Sequence, residues 1–89
     1  MSKIAKYRDY LTERIEPDTL LDRLLANRIL YKREVDEVKS RPTICQINER
    51  LLDYITEKGK EKEFMKALRH ANQPHMANYL RNDGGKLKT

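Results

Sequence analysis

Cys45, His70 and His75 are the side chains in this sequence that could do covalent or metal chemistry. A thiol beside an imidazole can act as a nucleophile, and the same groups bind zinc. The pattern supports neither use. One cysteine and two histidines in different segments cannot supply the four ligands of a structural zinc site. Cys45 falls beside an apolar helical stripe, where a thiol behaves as a small hydrophobe. His75 follows Pro74 at a helix start and is expected to be solvated. The paired glycines Gly84 and Gly85 lie in the C-terminal tail, not between a strand and a helix, so they are not read as a phosphate-cradling loop. No catalytic residue, metal or cofactor is expected. A lone cysteine cannot form an internal disulfide and fits a reducing, cytoplasmic setting.

The charged residues say more. The chain has 89 residues, 19 basic against 14 acidic, and a net charge of +5. That balance invites an acidic partner. Residues 1–14 lean basic, with Lys3, Lys6, Arg8 and Arg14 against Asp9 and Glu13. The next stretch leans acidic, with Glu16, Asp18 and Asp22 against Arg23, and Glu34, Asp36 and Glu37 follow. Two faces of opposite sign on one small domain suit head-to-tail association.

The elements that must position these charges are helices. A helix is expected from about Ser2 to Ile15, because Ile4, Tyr7, Leu11 and Ile15 recur at the helical period. Pro17 ends it and opens a second, to Ala26, with Leu20, Leu21, Leu24 and Leu25 as its apolar face and Asn27 as its cap. Ile29, Leu30 and Tyr31 form an apolar link. A third helix runs from about Lys32 to Ser40, with Val35 and Val38 inward. Thr43 and Gln46 make a capping box for a fourth, whose stripe is Ile44, Ile47, Leu51, Leu52 and Ile55 and whose end is Gly59. A fifth covers about Lys60 to Ala71, with Phe64, Met65 and Leu68 inward. Asn72 and Pro74 open a sixth, carrying Met76, Ala77 and Leu80. The expected core is Ile4, Leu11, Leu21, Leu24, Leu25, Val38, Leu51, Leu52, Ile55, Phe64, Leu68 and Leu80. Residues 1–81 read as one all-α domain, and residues 82–89 as a flexible tail or the start of a linker. No run approaches the roughly 20 apolar residues that cross a bilayer.

In this order the segments resemble a caspase recruitment domain. Glu16 to Leu25 (EPDTLLDRLL), then Ile29-Leu30, is similar to that family's second helix. Arg41-Pro42-Thr43, then Arg50 to Ile55 (RLLDYI) and Gly59, resembles the fourth. Phe64 to Leu68 and Asn72 to Leu80 resemble the last two. The resemblance covers about residues 3–81. It implies a six-helix antiparallel Greek-key bundle of the death fold, with no catalysis. It also implies homotypic binding to another CARD-containing protein, whether caspase, scaffold or adaptor, in apoptotic or inflammatory, innate immune signalling. Self-assembly into an oligomer or filament belongs to the same expectation. The implied acidic face is Asp22, Glu34, Asp36 and Glu37. The implied basic face is Lys6, Arg8 and Arg14, with Arg50 as the fourth helix's share, since Thr43 to Glu49 holds no Lys or Arg. No nucleic acid and no membrane is expected as partner.

The competing reading is a small basic helical nucleic-acid-binding domain, with the third and fourth helices as a helix-turn-helix. Gln46, Asn48 and Arg50 would be its reading residues. Glu49, Asp53 and Glu57 on the same helix would repel phosphate.

Overall fold

The computed structural model describes residues 3–71 and 74–81. Among these, seven helices and no strand occur: α1 (Lys3–Lys6), α2 (Arg8–Arg14), α3 (Pro17–Ala26), α4 (Lys32–Lys39), α5 (Ile44–Lys58), α6 (Glu61–His70) and α7 (Pro74–Arg81). The tail expected at 82–89, and Asn72, lie outside the described residues.

The first expected helix is two. Tyr7 leaves helical geometry at φ −111°, ψ 27°, and the chain bends there before resuming as α2. The other boundaries follow local chemistry. Pro17 occupies the first turn of α3, where its missing N–H removes nothing. Asn27 caps that helix, and Arg28 then takes the left-handed conformation at φ 60°. Its N–H reaches the Leu25 carbonyl, while the Ile29 N–H reaches that of Leu24. Glu34 starts α4 by accepting the Tyr31 N–H at 2.9 Å, the reciprocal half of a capping box. The Thr43 hydroxyl accepts the Gln46 N–H at the start of α5, and Gly59 ends it at φ 65°.

Helix α5 is the organising element, touching α1, α2, α3, α4 and α6. Helix α6 packs also on α3 and α7. The expected core residues are buried except Leu25, which is half-buried at the rim. Ile15, Leu20, Ile29, Leu30 and Met76 join them.

Three further expectations fail, all between Ile44 and Asn48 at the start of α5. Ile44 is 60% exposed, and Cys45 is exposed rather than packed as a small hydrophobe. These two side chains at the start of α5 are left uncovered, whereas Leu51, Leu52 and Ile55 further along it are fully buried. Ile44 instead borders a shallow surface depression formed with Glu13 to Thr19. Asn48, expected on the outer face of a reading helix, is fully buried. Its Nδ2 donates to the Thr12 carbonyl at 3.0 Å and the Ile15 carbonyl at 2.9 Å. It therefore closes the C-terminal end of α2, where helical carbonyls lack partners of their own. In the interhelical link, Ile29 and Leu30 are buried but Tyr31 is exposed, with Lys58 Nζ 4.6 Å from its ring centre.

Candidate functional site

The charged side chains singled out in the sequence sit on five helices, α1 to α5, and most of them have partners within the same molecule. On α2, Arg8 Nη2 contacts Asp53 Oδ1 of α5 at 2.8 Å and donates to the Glu49 carbonyl at 2.9 Å. Arg8 is thus a strap between α2 and α5. Arg14 ends α2, half-exposed, with its nearest carboxylate, Glu13, at 3.7 Å. Its guanidinium lies 4.4 Å from the Tyr10 ring centre. Lys6 Nζ is 5.4 Å from the ring centre of Tyr7.

Those tyrosines belong to a cluster that the sequence does not announce. Tyr10 of α2 stacks on Tyr79 of α7 at 3.6 Å and 4°, and Tyr7 meets Tyr79 edge-on at 5.5 Å and 81°. Arg14, Tyr10 and Tyr79 form three layers, so the C-terminal helix lies beneath the basic edge of the N-terminal ones. Tyr7 and Tyr10 are neighbours in sequence. Tyr79 comes from the other end of the domain, which spacing alone cannot pair with them.

The acids divide into two sets. Asp22 is exposed on α3 and makes no ion pair among the described residues. The three acids of α4 are each neutralised internally. Asp36 pairs with Lys32 one turn earlier at 2.9 Å. Glu34 pairs with Lys58 of α5 at 2.8 Å. Burial opposes the Glu34 carboxylate, but the Lys58 ammonium and the Tyr31 N–H outweigh it and hold its pKa below the usual value. Glu37 accepts from Arg50 Nε at 2.7 Å, from the Tyr54 hydroxyl at 2.9 Å and from Arg41 at 2.9 and 3.2 Å. These hydrogen bonds, that of Arg50 foremost, depress its pKa to about 2. The same carboxylate raises the pKa of Arg50 and of Tyr54.

Arg50 therefore sits against the acids rather than with the bases. Asp53 at 3.9 Å and Glu57 at 4.0 Å flank it further, and Tyr54 lies under its guanidinium at 4.3 Å. The structure brings Arg50 and Glu37 together, keeps Lys6, Arg8 and Arg14 along α1 and α2, and leaves Asp22 on a helix separate from the other acids. With Asn48 buried, the outer side of α5 near Arg50 offers Gln46 beside Glu49 and Asp53, a mixed surface that suits phosphate poorly. Among the described residues no group of His, Cys, Asp and Glu could hold a metal ion, and no helix is long and apolar enough to cross a membrane.

Compared with known proteins, residues 1–83 match the family model of the caspase recruitment domain. No curated protein matches, and no solved structure matches.

Proposed function

The chain belongs to the caspase recruitment domain family, a family of protein-interaction modules, and from that premise we propose that it recruits another CARD-containing protein in apoptotic or inflammatory signalling in the cytoplasm. In this reading α1 and α2 count as one bent helix of a six-helix Greek-key bundle spanning residues 1–81, with 82–89 as a tail or the start of a linker. The domain has no chemistry of its own. It brings a caspase, scaffold or adaptor to whatever it is attached to, or assembles into oligomers.

One observation carries the placement of the contact: Arg14 and Asp22 are the expected face residues with the least internal neutralisation. Each sits on an exposed surface of a different helix. We take Lys6, Arg8 and Arg14 as the basic face, and Asp22 with Glu34, Asp36 and Glu37 as the acidic face presented to it by a partner. The internal pairs of Arg8, Glu34, Asp36 and Glu37 hold those side chains in place; Asp22 adds unneutralised charge, and Arg14 adds charge met only by the exposed Glu13 at 3.7 Å. An exposed ion pair contributes only about 0–1 kcal/mol, so the charges act together and chiefly on partner choice and encounter rate.

Arg14→Glu and Asp22→Lys test this. Each variant is expected to keep the helical circular-dichroism signal and to lose capture of a partner CARD. Undiminished capture by both, across a range of salt, would remove these faces from the contact.

A further inference from the structure

Helix α6 turns a second basic surface to solvent, separate from the one on α1 and α2. Lys62, Lys66 and Arg69 recur at i, i+4 and i+7, opposite the buried Phe64, Ala67 and Leu68. All three are exposed, and none makes an ion pair among the described residues. Glu63 and the half-buried Glu61 stand to either side of this stripe, not within it. Beside it the half-buried Met65 shows part of its side chain.

Helix α3 carries the complementary arrangement. Asp18 and Asp22, one turn apart and exposed, also lack ion pairs among the described residues. The half-buried Leu25 lies next to them on the same side, at i+3 from Asp22. Both helices thus present a partly exposed apolar side chain bordered by unneutralised charge, negative on α3 and positive on α6. The spacing matches as well: about 6 Å separates residues four apart along either helix, so Asp18 and Asp22 can each face one lysine of the stripe.

We propose that α6 of one molecule docks on α3 of a second copy of this chain, with Lys62, Lys66 and Arg69 facing Asp18 and Asp22 and Met65 against Leu25. The proposal rests on the reading that the domain works through homotypic contacts, and it gives them a second basic surface, with Asp22 as the acid that the two basic surfaces share. Like-charge placement across such a contact disfavours it strongly.

Sedimentation velocity at low salt tests the contact on the intact chain, with circular dichroism as the control for folding. Wild type is expected to self-associate, and salt is expected to weaken the association. Lys62→Glu/Lys66→Glu should weaken it at least about tenfold, as should Asp18→Lys/Asp22→Lys. Mixing the two charge-reversed proteins should restore association. A monomer at all concentrations overturns the proposal. So does loss in both variants without recovery on mixing. Self-association lost in Arg14→Glu but kept in Lys62→Glu/Lys66→Glu would overturn it too, while leaving the proposed function standing. Binding of wild type to phosphatidylserine vesicles, lost in Lys62→Glu/Lys66→Glu while self-association persists, would assign the stripe to an anionic surface and equally overturn the proposal.

Discussion

Arg50 and Glu37, expected on opposite contact faces, are bonded to each other across α5 and α4, with 2.7 Å between Nε and Oε1. The carboxylate gathers Arg41 and Tyr54 as well. It is a clasp that fixes α4 to the middle of α5.

The clasp makes stability depend on acid. The pKa of Glu37 is lowered from the ordinary 4.5 to about 2 in the folded chain. A carboxylate depressed in this way contributes stability above its unfolded value and loses it as pH falls through the folded one. The contribution is therefore complete above about pH 5 and fades between pH 4.5 and 2. Thermal melts of wild type and Glu37→Gln should differ at pH 7 and converge towards pH 2. A gap that stays constant with pH would mean that the ionised form of Glu37 has no special role.

The stripe of α5 divides into a part that holds the core and a part that does not. Leu52 is fully buried, while Ile44, eight residues earlier on the same apolar pattern, is 60% exposed. Leu52→Ala should cost about 2–5 kcal/mol. Ile44→Ala should change stability by no more than about 0.5 kcal/mol. Chemical denaturation of both variants checks this. A large loss on changing Ile44 would place the first turn of α5 in the core.

Two left-handed residues predict opposite effects of substitution. Gly59 adopts φ 65° with nothing within 4 Å of where a Cβ would stand, so Gly59→Ala meets only backbone strain. That strain amounts to about 1–2 kcal/mol. Arg28 already bears such a cost at φ 60°. Glycine there removes it but adds chain entropy worth about 0.5–1 kcal/mol, leaving Arg28→Gly neutral to slightly stabilising. Melting temperatures that fall equally for both variants would contradict this.

How far the sequence led depends on what it had to encode. Helix ends were legible at Pro17, Thr43 and Gly59, because each residue carries its backbone preference with it. The core was legible in the spacing of Leu51, Leu52, Ile55, Phe64 and Leu68. What spacing does not encode is which element covers which. Ile44 has the right period but no helix over it, and Leu25 lies at the rim. Asn48 fits between Ile44 and Leu52 on the apolar side of α5. A polar residue in that position was the available sign that something there needed a hydrogen-bond donor, and the carbonyls of Thr12 and Ile15 are what it serves. The candidate site was less legible than the core. A count of charges along the chain cannot tell a carboxylate already bonded, such as Glu37, from one without a partner, such as Asp22. That difference arises only when α4 and α5 come together.

The Tyr10–Tyr79 stack joins α2 to α7 across nearly the whole domain, and it sets the last prediction. Helix α7 packs on α6, and its Met76, Ala77 and Leu80 are buried in the core. Tyr79 faces the other way, onto α2, at 3.6 Å from Tyr10. Stacked pairs contribute about 0.5–1.5 kcal/mol beyond the area they bury. Tyr10→Leu and Tyr79→Leu keep an apolar side chain at each position but remove the rings. In a double-mutant cycle the two should show a coupling of that size, because each single change already abolishes the stack. Arg14 rests on the outer side of Tyr10 and gains about 0.5–1 kcal/mol from the ring face. Tyr10→Leu should therefore also reduce the cost of Arg14→Ala, whereas Tyr79→Leu should leave most of that cost in place. Additive effects of Tyr10→Leu and Tyr79→Leu would show that the two rings are only neighbours. The hold of α7 on the basic edge would then come from other contacts, the Tyr7–Tyr79 edge contact among them.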